Sequence, residues 1–141
     1  VAGEGPSLRE LRRLAASLSL ERHVTFVTDF ARYEDIIETL DLVVYTSLED
    51  VSAFSLLEAM AWGRPVISFG TPTVGSIVEH GRTGLLVNRG DVQGLVRAVL
   101  KLLTHEDRAH ALAAAAKGAI REYYDTAVVG RKVMKFYNTL R

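Results

Sequence analysis

The chain has 141 residues, 48% of them hydrophobic and 24% charged, with 17 basic and 17 acidic side chains. This is enough for one domain with a core and fits a folded chain, while zero net charge gives no general attraction to nucleic acid or anionic lipid. The absence of cysteine excludes disulfides and thiolate metal sites, and no apolar run approaches the roughly 20 residues of a membrane span.

Val1-Ala-Gly-Glu-Gly-Pro6 has none of the marks of a signal peptide. It reads as a strand end entering a turn, so the chain is expected to start in mid-fold. Ser7 and Glu10 have capping-box spacing, and Leu8, Leu11, Leu14, Ala15 and Leu18 follow at helical period. His23 to Val27 is β-branched and aromatic, which predicts a strand. Tyr33 to Leu40 reads as a short amphipathic helix. Leu42 to Tyr45 and Val66 to Phe69 lack polar alternation, as strands covered on both faces do. Between them, Phe54 to Trp62 is a helix stopped by Gly63 and Pro65. Val74 to His80 predicts a helical turn or two, and Leu85 to Val87 a brief strand. Helices follow at about 91–103 and 106–123, and a last one from about Thr126. Strands alternating with helices give an α/β class, a doubly wound parallel sheet with helices on both faces.

The richest stretch is Asp50-Val-Ser-Ala-Phe-Ser-Leu-Leu-Glu58, between two covered strands. In open α/β sheets such a loop, at the carboxyl end of a parallel strand, is where ligands bind. Ser52 is a candidate N-cap, and the first amides of a helix have no intrahelical partner and favour an anion. Val51, Ser52 and Ala53 offer little bulk against a phosphate. Glu58 lies about 9 Å down the axis from Ser52, with its side chain leaning back toward the helix start. An acid touching a phosphate would be repelled, whereas one set back from it suits neutral hydroxyls. Asp50, before the tip, would accept from hydroxyls on the other side. Hydroxyls, diphosphate and hydroxyls in that order outline a nucleotide sugar. The plain alternative is a solvated helix acid and a turn residue.

The same stretch resembles the carboxyl-terminal, Rossmann-like domain of GT-B-fold retaining glycosyltransferases, glycosyltransferase family 4 (glycosyl transferases group 1). That family carries a Glu, seven residues, then Glu-Ala-Met-Ala-x-Gly-x-Pro-Val. Here Glu58 to Val66 is intact, and Asp50 stands at the first acid, with Glu49 the alternative if the loop carries one extra residue. The aromatic-glycine pair of the family is Ser52-Ala53, with an aromatic one step later at Phe54. Gly3-x-Gly-Pro6, Val24 to Val27, Asp41 to Val44, and Glu79-His-Gly-Arg-Thr-Gly-Leu-Leu-Val87 are similar to further family segments. The family's Gly-Gly-x-Pro-Glu loop reads Pro72-Thr-Val-Gly-Ser76.

The resemblance implies that Glu58 holds the ribose hydroxyls of a nucleotide-diphosphate sugar and Asp50 those of the transferred sugar. Amides near Ser52, Ala53 and Phe54 would meet the diphosphate, and Thr28, Asp29 and Phe30 would lie against the base. It implies no metal and no cofactor. It also implies that residues 1–141 are one partial domain lacking its first strand and helix. A Gly-Arg loop, a Lys and an amino-terminal acceptor domain would precede Val1. Most catalytic groups would then lie outside this chain, which would not transfer sugar alone. The expected location is cytoplasmic, at most peripheral to a membrane through the full-length protein.

Three alternatives accompany this expectation. The chain is a non-catalytic binding module derived from the fold, a nucleotide-sugar epimerase, or a phosphorylase, although the last needs a pyridoxal lysine motif that is not evident. His23, His80, His105 and His110 show no ligand spacing and read as surface or capping residues. Gly3-Glu-Gly-Pro6 lacks the third glycine of a dinucleotide fingerprint. The last helix sets Val129, Val133, Phe136, Tyr137 and Leu140 on one side and adds Arg131, Lys132, Lys135 and Arg141, a basic amphipathic pattern.

Overall fold

The structure, a computed structural model, describes residues 1–29, 33–49 and 53–140. The chain divides into two compact units, Val1–Asp35 and Ile36–Arg141.

In the first unit α1 spans Leu8–Ser17. Ser7 adopts helical dihedrals and its side chain makes no cap bond, so the expected capping box does not form. The helix ends at Leu18, and Ser19 and Leu20 donate back to Ala16 O and Ala15 O, with Ser19 at φ 55°. Only Ala15 of α1 is buried; Leu11, Leu14 and Leu18 are exposed. The strand expected at His23–Val27 reduces to a parallel bridge between Ala2 and Val27, where Gly3 N donates to Val27 O at 3.0 Å. The Arg12 guanidinium sits over the Phe26 ring, 5.4 Å from its centroid. A short helix, α2 (Tyr33–Ile37), follows.

The second unit holds a parallel sheet in the order β1 (Val43–Tyr45), β2 (Val66–Phe69), β3 (Leu85–Val87). Val43 aligns with Val66, and Ile67 with Leu85. Every residue of β2 is buried. Its first two side chains enter opposite cores, as strand pleating requires. Val66 joins Val43, Leu56, Met60, Val74 and Val78 in one. Ile67 joins Leu85, Leu102 and Leu112 in the other. The first core is supplied by α3 (Phe54–Ala61) and α4 (Pro72–Ile77), the second by α5 (Val92–Thr104). At β2 the sheet is thus covered on both faces, as its unbroken apolar run predicts; on β1 the expected cover is incomplete, because Val44 is exposed. Helix α6 (Glu106–Tyr123) serves both cores, giving Leu112 to one and Ala116 to the other. The last helix, α7 (Thr126–Thr139), has no buried residue.

Local chemistry sets the boundaries. Gly63, at φ +71°, lets the α3 terminus reverse: its amide donates to Met60 O and that of Arg64 to Ala59 O. Asp91 caps α5 by accepting from Gly94 N at 2.8 Å, and Thr71 caps α4 with Pro72 next to it. The α4 helix therefore starts two residues earlier than the sequence pattern suggests.

The segment before β3 is built for close approach. Thr83 is buried, and its Oγ1 accepts from Glu79 N at 2.8 Å. A Cβ on Gly84 would stand 2.7 Å from Val66 Cγ2 and 2.8 Å from Val78 Cγ1. Strand β3 is the last of the three, so its outer amides are a template for unwanted pairing. His80 closes this edge, its Nδ1 accepting from Leu86 N at 2.9 Å.

Gly84→Ala is expected to destabilise the protein by about 1–3 kcal/mol through overpacking of the β2 core, read as a lower urea midpoint. His80→Leu is expected to speed exchange of the Leu86 amide about fivefold, the equivalent of about 1 kcal/mol, while His80→Asn keeps an acceptor and most of the protection. Equal exchange rates in the two variants would show that His80 does not guard the edge.

Candidate functional site

The parallel strands all run the same way, so the segments leaving Tyr45, Phe69 and Val87 emerge at one edge of the sheet. That edge receives the starts of α3, α4 and α5. The latter two have side-chain caps, Thr71 and Asp91. At α3 the N-cap position is Ala53, which has no side chain to cap with. Among the described residues nothing accepts from the amides of Phe54 and Ser55. The amides of Leu56 and Leu57 both donate to Ala53 O. A helix start without a side-chain cap carries the positive polarity that favours an anion.

The faces of α3 are set by burial. Leu56, Ala59 and Met60 are buried together with Ala53, so the opposite side faces solvent. Glu58 is exposed on that side. Phe54, four residues earlier, shares the stripe and is 71% exposed. The sequence sets Phe54, Leu57 and Ala61 on one helical face, Leu56 and Met60 on the next, and Ser55 with Glu58 on the remaining side; the core takes Leu56 and Met60 with Ala59, and Phe54 is left outside beside Glu58. The reason is tertiary: α6 packs against α3 and, with β1 and β2, chooses which arc of a nearly all-apolar helix is covered.

The other sequence-designated residues are distributed as follows. Asp50, Ser52 and Phe30 lie outside the described residues. Glu49 is exposed in the loop after β1, where its carbonyl accepts from Ser47 Oγ at 3.1 Å. Thr28 is half-buried and Asp29 exposed, both in the first unit just beyond the Val27 bridge. Of the histidines, His80 holds the β3 edge, and His105 joins α5 to α6 with its Nδ1 beside Thr104 Oγ1 and Lys101 O. Among the described residues no three His, Asp or Glu side chains gather to hold a metal ion. No described helix is long and apolar enough to cross a membrane.

One cleft was not foreseen from the sequence. It measures about 660 Å³ and lies between α4, the Glu79–Thr83 turn, α6 and α7. Tyr124 Oη donates to Ser76 O at 3.2 Å, Arg82 pairs with Glu79 at 2.8 Å, and Lys132 sits over the Tyr123 ring. A hydrogen bond to Glu122, reinforced by that carboxylate's charge, raises the Tyr123 phenol above its usual range. These residues come from four segments up to about fifty positions apart, and no local spacing announces them. Because α4 runs away from the carboxyl edge, this cleft lies toward the opposite edge from the α3 start.

Residues 1–105 match the family described as Glycosyl transferases group 1. The chain is 26% identical over its whole length to the N-acetyl-α-D-glucosaminyl L-malate synthase of Bacillus anthracis, covering 37% of that protein. It is 33% identical over 83% of its length to a GDP-mannose-dependent α-(1-6)-phosphatidylinositol monomannoside mannosyltransferase of Mycobacterium tuberculosis, covering 33% of it. The chain thus spans about a third of the length of these relatives. The crystal structure of Anabaena HepE in complex with UDP and glucose superposes with a TM-score of 0.91 at 22% identity, covering 98% of this chain and 39% of HepE. With that fold and that match, the chain belongs to the Glycosyl transferases group 1 family and has the parallel α/β architecture of GT-B glycosyltransferase carboxyl-terminal domains.

Proposed function

We propose that the full-length protein is a retaining glycosyltransferase of family 4 that moves a hexose from a nucleotide-diphosphate sugar to an acceptor. Residues 1–141 are the donor-binding, carboxyl-terminal part of it. The observation that carries this reading is the pairing of an uncapped helix start with an exposed acid one turn further along α3. The helix start suits a diphosphate, and Glu58, set back from it, suits the ribose hydroxyls. Asp50, or Glu49 in its place, takes the hydroxyls of the transferred hexose. The amides at Ser52, Ala53 and Phe54 meet the diphosphate, and Thr28, Asp29 and Phe30 face the base. Support for the donor class comes from relatives and neighbours. One is named as GDP-mannose-dependent, and HepE is described in complex with UDP and with UDP-glucose.

In this reaction the bond from the sugar's anomeric carbon to the diphosphate oxygen breaks. An acceptor hydroxyl oxygen bonds to that carbon with net retention, and its proton passes to the departing diphosphate. Negative charge grows on the departing nucleoside diphosphate, and fixed amide donors stabilise it where it develops. Glu58 and Asp50 position the donor and are not general bases. The reading invokes no metal and no cofactor. It places the acceptor site in an amino-terminal domain and the first strand and helix of the present domain before Val1. Two surfaces support that placement: among the described strands β1 pairs only with β2, and Val92, Val96, Leu100 and Leu103 form an exposed apolar flank along α5. Residues 1–141 alone are then inactive. The protein is cytoplasmic, with any membrane contact made through the full-length chain.

Calorimetric titration of the full-length protein with UDP and GDP tests the reading. One of them is expected to bind, and Glu58→Ala to weaken it about 10- to 100-fold, the loss of hydrogen bonds to a charged acceptor. A non-catalytic module would bind neither nucleotide, and an epimerase would return an isomerised nucleotide sugar without an acceptor. Unchanged affinity in Glu58→Ala would overturn the assignment of that residue.

A further inference from the structure

Phe54 is the most exposed of the large hydrophobic side chains among the described residues, at 71%. Neither core cluster of the described residues includes it. The buried arc of α3 is complete with Leu56, Ala59 and Met60, and the core cluster that α3 joins does not include Phe54. Phenylalanine has no polar atom to satisfy and ordinarily avoids such exposure. Its position is specific: it is the first residue of α3 and stands four residues, about 6 Å of axial rise, before Glu58 on the same stripe. Side chains on a helix lean toward its N-terminus. Phe54 therefore reaches past the tip, while Glu58 reaches up to the turn behind it.

We propose that the Phe54 side chain is a specificity element of the donor site, packing against the apolar C–H face of the transferred hexose. This rests on the donor-binding reading given above and extends it to the sugar end of the ligand. With the ribose at Glu58 and the diphosphate at the helix tip, the group beyond the tip is the hexose. A pyranose ring presents axial C–H groups on one face and hydroxyls at its rim. An aromatic side chain matches the face, and acids match the rim. The ring also shields the sugar–diphosphate bond from water, which favours transfer over hydrolysis. Phe54 touches the donor sugar without exchanging a proton with it.

The sugar-end assignment separates Phe54 from Glu58 experimentally. The full-length protein is titrated with UDP, GDP, UDP-glucose and GDP-mannose, and the tightest nucleotide sugar is compared with its own nucleoside diphosphate. Phe54→Ala is expected to weaken the nucleotide sugar about tenfold and leave the nucleoside diphosphate unchanged, with Phe54→Tyr close to wild type. Glu58→Ala is expected to weaken both ligands. Equal loss for both ligands in Phe54→Ala, or no loss for either, overturns the proposal while leaving the donor site standing. If wild type binds none of the four ligands, the donor reading itself fails and this assignment with it. Thermal unfolding of Phe54→Ala at the wild-type temperature, expected for so exposed a residue, shows that any loss belongs to the ligand contact.

Discussion

Strand β2 is the element on which the rest of the second unit depends. Val66, Ile67, Ser68 and Phe69 are all buried, and the first two enter opposite cores. A strand in that position admits almost no polar group. Its one hydroxyl, Ser68 Oγ, donates to the carbonyl of Phe69 at 3.0 Å. The neighbours are shaped around it. Gly84 has no side chain because Val66 occupies the space, and α6 is rich in alanine where it passes both cores. Burying four consecutive residues on two faces also fixes the register of β1 and β3, since a slip by one would exchange the two cores.

That register has a functional consequence. Parallel pairing gathers the exits of β1, β2 and β3 at one edge, and each exit feeds a helix start. Two of those starts are closed by their own side chains, Thr71 and Asp91. The third, at Ala53, has no side-chain cap. The electrostatic logic follows from distance. An acid at the tip itself would compete for the same amides and repel a phosphate. Glu58, one turn back and facing solvent, leaves the tip positive.

Several helices carry apolar residues that the described fold leaves in solvent. Leu11, Leu14 and Leu18 on α1 are exposed, and Val92, Val96, Leu100 and Leu103 form a stripe on α5 beside its buried face. Helix α7 exposes Val133, Met134, Phe136, Tyr137 and Leu140. An apolar arc wider than one packing face is what a helix needs when it is covered from two sides.

Residue pattern alone was enough for the α/β class and for the two-sided burial of β2, whereas the same expectation fails on β1, where Val44 is exposed. The pattern also determined the stop of α3 at Gly63 and the spacing from the loop acids to Glu58. These are local facts: hydrophobic runs, turn residues and helix period act within a few positions of one another. Which arc of α3 is covered is settled by packing partners from elsewhere in the fold. Phe54, Leu56, Leu57, Ala59, Met60 and Ala61 are all apolar, so the helix carries little directional pattern of its own. Contact with α6 and the sheet selects Leu56, Ala59 and Met60, and so leaves Phe54 and Glu58 together on the open side. A distant partner, Ala2, also decided that Val27, within the stretch read as a strand, pairs as a single bridge, while the Thr71 start of α4 and the His80 closure of the β3 edge rest on short-range side-chain hydrogen bonds. Each of those outcomes depends on a neighbour distant in the chain or on a hydrogen bond that residue spacing does not specify.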